Sequence, residues 1–321
     1  MPEPLKFGNM KLYFLDDGTY KRDGGPMFPF FPKKTWSNYK VFDQLPYKTD
    51  ENNDITMVSK CFLIVHPEAT ILVETGTHDK TTDPRLNYHS VTKNSSLLSS
   101  LKEIRVSPDD IDFVVNSHLH ADHIGWNTFY KDGKLLPTFK NAKYLIQKKE
   151  FEKAKSPGRA FQNDYLTFDL DVVPLEKFGN LELIIGDKEI VSEVFLTPTP
   201  GHTEGHQSLI MRTESRIPSS NEESENYDIK KVSMFYAGDV APLVFHQEKP
   251  NCPSPFYIDR QQAWESKEKL LYGMKSSDIR YTIFYHEVAT SLGILRETRD
   301  AEGNSPKHRV IRPDIKDNVI C

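Results

Sequence analysis

What this chain has little of narrows it first. Its three cysteines, Cys61, Cys252 and Cys321, stand far apart, and none belongs to a C-x-x-C pair. That usage suits a reducing cytoplasm and supplies neither a disulfide framework nor a zinc ribbon. Long apolar runs are missing too: no stretch approaches the roughly 18 residues that a membrane span needs. Residues 1–16 hold no uninterrupted apolar segment of the signal-peptide kind. The expectation is a cytoplasmic protein with no membrane partner. Charge of one sign is also scarce. The formal net charge is -5 and the basic residues form no long runs, so nothing favours a nucleic-acid partner. No short-period repeat is present, which excludes a solenoid. Length alone allows about two domains, and a hydrophobic fraction of 37% in 321 residues is enough for a sizeable core.

What is present is a cluster. His118, His120, Asp122 and His123 fall within six residues, directly after the apolar run Ile111-Asp112-Phe113-Val114-Val115. In extended backbone His118 and His120 point to one face, and Asp122 and His123 come from the bend that follows. Neutral imidazole and carboxylate are the ligands of zinc and, less often, of iron or manganese. The competing reading is a polar strand end with solvated histidines.

Apolar runs separated by turn residues predict further strands over residues 11–15, 56–65, 70–74, 142–146, 181–185, 190–196, 208–211, 232–237 and 281–285. Helical spacing predicts helices over 96–104, 148–155 and 261–274. The second of these reads as a charged, solvated face; the third buries Trp264, Leu270 and Leu271. Residues 23–32 combine turn residues with aromatics and read either as a pocket lid or as a loop packed on the core. Residues 215–231, rich in Ser, Glu and Asn, read as an exposed insertion between two strands. The polar tail from residue 298 reads as loosely held. His66, His78, His89 and His308 read as surface histidines.

Four of the apolar runs deliver a ligand-type side chain at or just past their carboxyl ends: His118, His202, Asp239 and His286. In a layered sheet protein such ends converge on one rim. A lone histidine at a strand end is usually structural. Four deliveries, added to the cluster, predict a metal site.

At these residues the chain resembles the metallo-β-lactamase superfamily of hydrolases. The matching motifs are His118-x-His120-x-Asp122-His123, Pro200-Gly201-His202-Thr203, Asp239 after Gly238, and His286, in the family's order. The resemblance implies an α/β fold: a four-layer αββα sandwich, two mixed β-sheets flanked by helices, as a single domain over residues 1–321. It implies two divalent metal ions, zinc before iron or manganese. His118, His120 and His202 would hold one; Asp122, His123 and His286 the second; Asp239 would bridge them. A hydroxide shared by the ions would attack a lactone or ester carbonyl. Redox relatives in this superfamily replace one position of the set with an acidic residue, so the complete set argues against a non-hydrolytic metal-binding module.

Residues 23–36, the run Pro200 through Ser208, and Gly238-Asp239-Val240 with Phe256-Tyr257-Ile258-Asp259 resemble the branch containing quorum-quenching lactonases and methyl parathion hydrolase. The implied partner is a small-molecule lactone or ester, with N-acyl-homoserine lactone favoured. An organophosphate or phosphodiester is the alternative, and a homodimer is left open. Two departures stand out. Glu74-Thr75-Gly76 replaces the family's Asp-Thr-Gly, so a longer carboxylate would support the ligands. Pro242 stands where well-known lactonases carry a tyrosine three residues after the bridging aspartate. His246 and Tyr257 are the candidates to replace that proton donor. Phe28, Phe30, Phe31, Trp36, Phe245 and Phe256 are candidates for an apolar substrate pocket, or equally for core. With the ligand set already full, His206 is expected to hydrogen-bond its loop and not to bind metal.

Overall fold

The apolar runs assemble into two mixed sheets. The computed structural model describes residues 2–77, 80, 89–92, 96–218, 227–249, 251–253, 255–272, 279–299, 306–313 and 319–320. The first sheet contains β1 (Leu5–Phe7), β2 (Met10–Asp23), β3 (Asp54–Val65), β4 (Thr70–Val73), β5 (His89–Thr92), β6 (Phe113–Val115), β9 (Lys143–Gln147), β10 (Leu181–Ile184) and β18 (Val319–Ile320). A separate hairpin is made by β7 (Thr128–Lys131) and β8 (Lys134–Pro137). The second sheet runs in sequence order through β11 (Lys188–Val191), β12 (Val194–Pro198), β13 (Gln207–Pro218), β14 (Tyr227–Tyr236), β15 (Ile279–Ile283), β16 (Leu292–Arg299) and β17 (Pro306–Ile311). Helices α1 (Gly24–Met27), α2 (Lys33–Ser37), α3 (Leu97–Glu103), α4 (Ala121–Ile124), α5 (Lys148–Lys155), α6 (Phe168–Asp171), α7 (Val173–Phe178), α8 (Val244–Glu248) and α9 (Arg260–Lys267) fill the connections.

One apolar cluster holds the sheets together. It takes Leu63, Ile71 and Val114 from the first sheet and Leu209, Val232 and Met234 from the second. Phe62 of β3 meets Tyr236 of β14 edge to face at 5.3 Å, a contact that adds about 0.5–1.5 kcal/mol to simple burial. Strands β4, β6 and β9 run parallel; their inner residues are almost wholly buried, which is why these segments read as continuous apolar runs. On the outside α3 packs against β2, and α5 and α7 against β10. Helix α3 starts where Ser96 accepts from the Ser99 amide while the Ser99 hydroxyl answers the Ser96 amide, a capping box that satisfies two otherwise orphaned donors. Among the described residues no helix is long and apolar enough to cross a membrane.

The expected sandwich is therefore the observed fold, but several local expectations are corrected. Residues 190–196 are not one strand: Glu193 takes a φ of 66° and the chain folds back as β11 against β12. The two runs flanking residues 186–188 belong to different sheets, β10 pairing with β9 and β11 with β12. The insertion at 215–231 is narrower than expected, because β13 and β14 stay paired out to Pro218 and Tyr227; residues 219–226 lie outside the described set. The tail is not loose where it is described: β17 pairs with β16, and β18 adds to β1. Helix α5 buries Glu150, Phe151 and Ala154, so it is no solvated face. Helix α9 ends at Lys267 and continues as a wider turn over Glu268–Tyr272; Trp264 is 38% exposed, whereas Leu270 and Leu271 are buried as expected. Residues 273 and 274 lie outside the described set. His66 and His308 are buried instead of superficial; His78 lies outside the described residues, as do the side-chain surroundings of His89.

Candidate metal centre

Sheet direction brings the site together. Strands β4 and β6 are parallel in the first sheet, and β14 and β15 are parallel in the second. Their carboxyl ends therefore lie on one rim, and past them come Glu74, His118, Asp239 and His286. Helix α4 follows β6 after the five residues that hold His118 and His120, and carries Asp122 and His123. His202 follows β12. The turn at Gly238 has a φ of +56°, and a Cβ there would lie 2.5 Å from His206 Nε2. Glycine is what lets the chain turn against that ring and present Asp239.

Ligand-type atoms of three groups converge within 4.8 Å of one another: His118, His120 and His202; His118, His123 and Asp239; Asp122, His123 and His286. All seven side chains the sequence singled out are brought to one place. His118 Nε2 and His202 Nε2 stand 3.0 and 3.1 Å from His120 Nδ1. His286 Nε2 stands 3.2 Å from His123 Nε2.

The chemistry of these donors tests whether a cation belongs among them. His202 Nδ1 lies 2.7 Å from the carbonyl of Pro255. A carbonyl can only accept, so Nδ1 carries the proton. Burial lowers the His202 pKa to about 3, so the ring is neutral and Nε2 bears a lone pair. That lone pair faces Asp239 Oδ2 at 3.7 Å. His286 has Nδ1 3.0 Å from the Val58 carbonyl and Nε2 3.3 Å from Asp239 Oδ1. At His202 acceptor faces acceptor, which is repulsive unless positive charge lies between them. The residues present thus fit a cationic centre. Burial, then the imidazoles of His123, His120 and His202, holds His118 well below the ordinary histidine value. Burial brings His120 to about 4. His123 goes the other way: burial opposes its charge, but the carboxylates of Asp239, Glu74 and Asp122 together outweigh that and raise it well above 6.5. Asp239 is pushed up by burial, and His286 and His123 more than reverse this.

The supporting residues are equally placed. Glu74 is fully buried, with a left-handed φ of 61°. Its Oε1 accepts from the Ser117 amide at 3.1 Å and the Tyr236 hydroxyl at 2.9 Å, and lies 3.4 Å from His123 Nδ1. His206 accepts from the Asp239 amide at 3.0 Å through Nε2, and its Nδ1 is 2.8 Å from Thr199 Oγ1. Both of its nitrogens are committed to the loops. Tyr285 donates its hydroxyl to the Asp122 carbonyl.

A cavity of ≈ 110 Å³ opens on the ligands, walled by Tyr20, Arg22, Met27, Met57, Phe256, Asn163 and Asp164. Of the aromatic pocket candidates it includes Phe256. Phe28, Trp36 and Phe245 are packed in a buried cluster, Phe28 lying 4.8 Å from Trp36 and 5.0 Å from Phe245. Phe31 packs at its edge. Phe30 is 67% exposed, with Arg260 over its ring. His246 turns away, its Nε2 2.8 Å from the Met27 carbonyl and its ring stacked on Phe28, and Tyr257 is not among the lining residues. Sequence reasoning missed Tyr20, whose hydroxyl donates to Asp122 Oδ2 at 2.8 Å and lies 3.1 Å from His286 Nδ1. The available signal was alternation along Tyr20 and Arg22, had β2 been extended beyond residue 15.

A family model described as metallo-beta-lactamase superfamily matches residues 55–216. An N-acyl homoserine lactonase of a Bacillus species is 29% identical over 168 residues, 49% of this chain and 60% of the relative. One from Bacillus cereus is 30% identical over 164 residues, 48% of this chain and 58% of the relative. The match thus spans about three fifths of the length of these curated relatives. Among solved structures, a probable metal-dependent hydrolase from Staphylococcus aureus superposes with a TM-score of 0.75 at 21% identity, over 96% of this chain and 99% of the other. AidC, a dizinc quorum-quenching lactonase, superposes with a TM-score of 0.69 at 19% identity over 98% of both chains. At these identities the superpositions show a shared fold.

Proposed function

This chain belongs to the metallo-beta-lactamase superfamily, and on that premise we propose that it is a metal-dependent hydrolase of lactones or esters, N-acyl-homoserine lactone being the favoured substrate. The observation that carries the reading is the convergence of ligand-type atoms at one cavity, above all His202 Nε2 facing Asp239 Oδ2 as acceptor against acceptor. His118, His120 and His202 would hold one divalent ion, and Asp122, His123 and His286 a second. Asp239 turns one oxygen to each set and would bridge them. Imidazole and carboxylate donors favour zinc, with iron and manganese next.

When bound, such a pair supplies Lewis acidity and a water acidic enough to attack at neutral pH. The protein supplies the rest. Glu74 and the Val58 and Pro255 carbonyls fix which nitrogen of His123, His286 and His202 faces the centre. Tyr20 ties down one oxygen of Asp122, which holds that carboxylate in place among the ligands. The position three residues after Asp239 is Pro242, which has neither O–H nor N–H to offer. The phenol of Tyr20 lines the cavity, but its single proton is committed to Asp122 Oδ2, so it positions that carboxylate and does not replace the missing donor. Met27, Met57 and Phe256 offer the apolar wall for an acyl group.

Metal analysis of the purified protein is expected to give about two ions per chain. Asp239→Ala is expected to lose metal and turnover together. One preparation assayed on a lactone, an aryl ester and an aryl phosphotriester decides the substrate class. Turnover of the phosphotriester alone would replace the lactone reading with the organophosphate one, and absence of metal would remove both.

A further inference from the structure

Glu150 is a fully buried carboxylate outside every motif of the site. It stands in the first turn of α5 and reaches two loops that are far apart in sequence. Its Oε1 accepts from the Leu119 amide at 3.0 Å and from the Tyr165 hydroxyl at 3.3 Å. Its Oε2 accepts from the Thr203 hydroxyl at 2.6 Å and from the Gly205 amide at 3.1 Å. Leu119 lies between His118 and His120, and Thr203 follows His202 directly. Both oxygens are thus filled by donors, and among the described residues no lysine or arginine pairs with the group. A carboxylate used only to neutralise charge would not be built this way. This one is placed to hold amides and hydroxyls at a set separation.

The backbone agrees. A Cβ on Gly205 would lie 2.1 Å from the Glu150 amide nitrogen and 2.5 Å from its Cα. The His202 loop therefore sits directly on the first turn of α5, an approach only glycine permits. Tyr165, which completes the carboxylate's shell, also stands with its ring 5.7 Å from His120.

We propose that Glu150 is a positioning residue for the metal centre: its carboxylate clamps the loop of His118 and His120 to the loop of His202, and thereby sets the spacing of that histidine triad. The clamp spans one triad only. Asp122, His123 and His286 are reached by Glu74, Tyr20 and the Val58 carbonyl instead. Loss of the clamp should therefore weaken one metal position selectively. Glutamine in place of Glu150 keeps the shape but turns an NH2 group toward donors, so two bonds become repulsive.

The inference rests on the metal reading above, and its test separates the two. Wild type, Glu150→Gln and Asp171→Asn are loaded with cobalt(II) and stripped by stepwise chelator competition, with visible spectra and thermal midpoints recorded. Asp171 is another buried carboxylate, paired with Lys80 on a different part of the fold, and serves as the stability control. For Glu150→Gln the expected result is a loss of about 10- to 100-fold in affinity at one of two positions, the size usual for residues that orient metal ligands. A changed cobalt spectrum should accompany it, with the other position retained. Asp171→Asn should lower the midpoint and leave the spectrum alone. Unchanged cobalt binding in Glu150→Gln overturns the clamp. So does equal weakening of both positions in step with lost stability. Should that variant not fold, Thr203→Val, which deletes a single donor, must show the same selectivity in smaller measure, and unchanged binding there overturns the clamp. A wild type that takes up no cobalt overturns the metal reading itself.

Discussion

The hydroxyl of Tyr20 donates to Asp122 Oδ2 at 2.8 Å, across 102 residues of chain. Tyr20 comes from the carboxyl-terminal part of the long strand β2, Asp122 from the short helix after β6. A buried hydrogen bond to a carboxylate is worth about 1.5–3 kcal/mol, so this one can hold the carboxylate in a single orientation. Tyr20→Phe is expected to lower kcat by about 10- to 100-fold, with metal content unchanged by elemental analysis. Unaltered kcat on the best substrate of the panel would remove Tyr20 from the reaction.

Phe28 separates pocket from core. It is 1% exposed and stacks between Trp36 and His246. Phe28→Ala is expected to cost about 3–5 kcal/mol of stability, as for other buried aromatics, measured by denaturant unfolding. Phe256→Ala, on the cavity wall and 42% exposed, is expected to change KM and leave the unfolding midpoint nearly where it was.

Glu74 tests the departure from the family's aspartate. Its carboxylate reaches Ser117, Tyr236 and His123 from a strained backbone. Glu74→Asp shortens the side chain by one methylene and is expected to lengthen the contact with His123, weakening metal binding by about tenfold or more. Chelator competition would show it. Equal or tighter binding would mean that the longer side chain plays no supporting role.

Acid should destabilise the fold in a definite window. Burial, first among the causes, lowers His206 and His246 to about 3 in the folded protein, whereas an unfolded histidine titrates near about 6.5. Between these values the unfolded chain binds more protons, so stability rises with pH there. The contribution of the neutral rings is complete above about 6.5 and is lost as pH falls toward about 3. Unfolding midpoints of chelator-treated protein between pH 7 and pH 4 should therefore fall steadily, and fall less in His246→Gln. A flat profile would contradict the buried neutral assignment.

Much of the site was legible because metal chemistry restricts residue types. His118, His120, Asp122 and His123 are close in sequence, and His202, Asp239 and His286 each follow an apolar run, so local pattern was enough to single them out. The supporting residues carried no such mark. Glu150 sits among lysines and glutamates in a segment that reads as solvated, and only the packing of α5 against the His202 loop turns it inward. The turn at Glu193 and the pairing of the tail with β16 and β1 were hidden likewise, since hydrogen-bond partners across sheets leave little trace in a local window.

By itself, then, the sequence determined which atoms could bind a cation and that apolar strands deliver them. Tertiary structure alone decided which side chains face the cavity. Phe28, Trp36 and Phe245 are as apolar as Phe256, yet they pack on one another while Phe256 lines the opening. Burial rewards apolar area wherever it is covered, without regard to which neighbour covers it. Composition cannot distinguish a pocket wall from a core, and the approach of β2 and the segment before α9 to the ligands can.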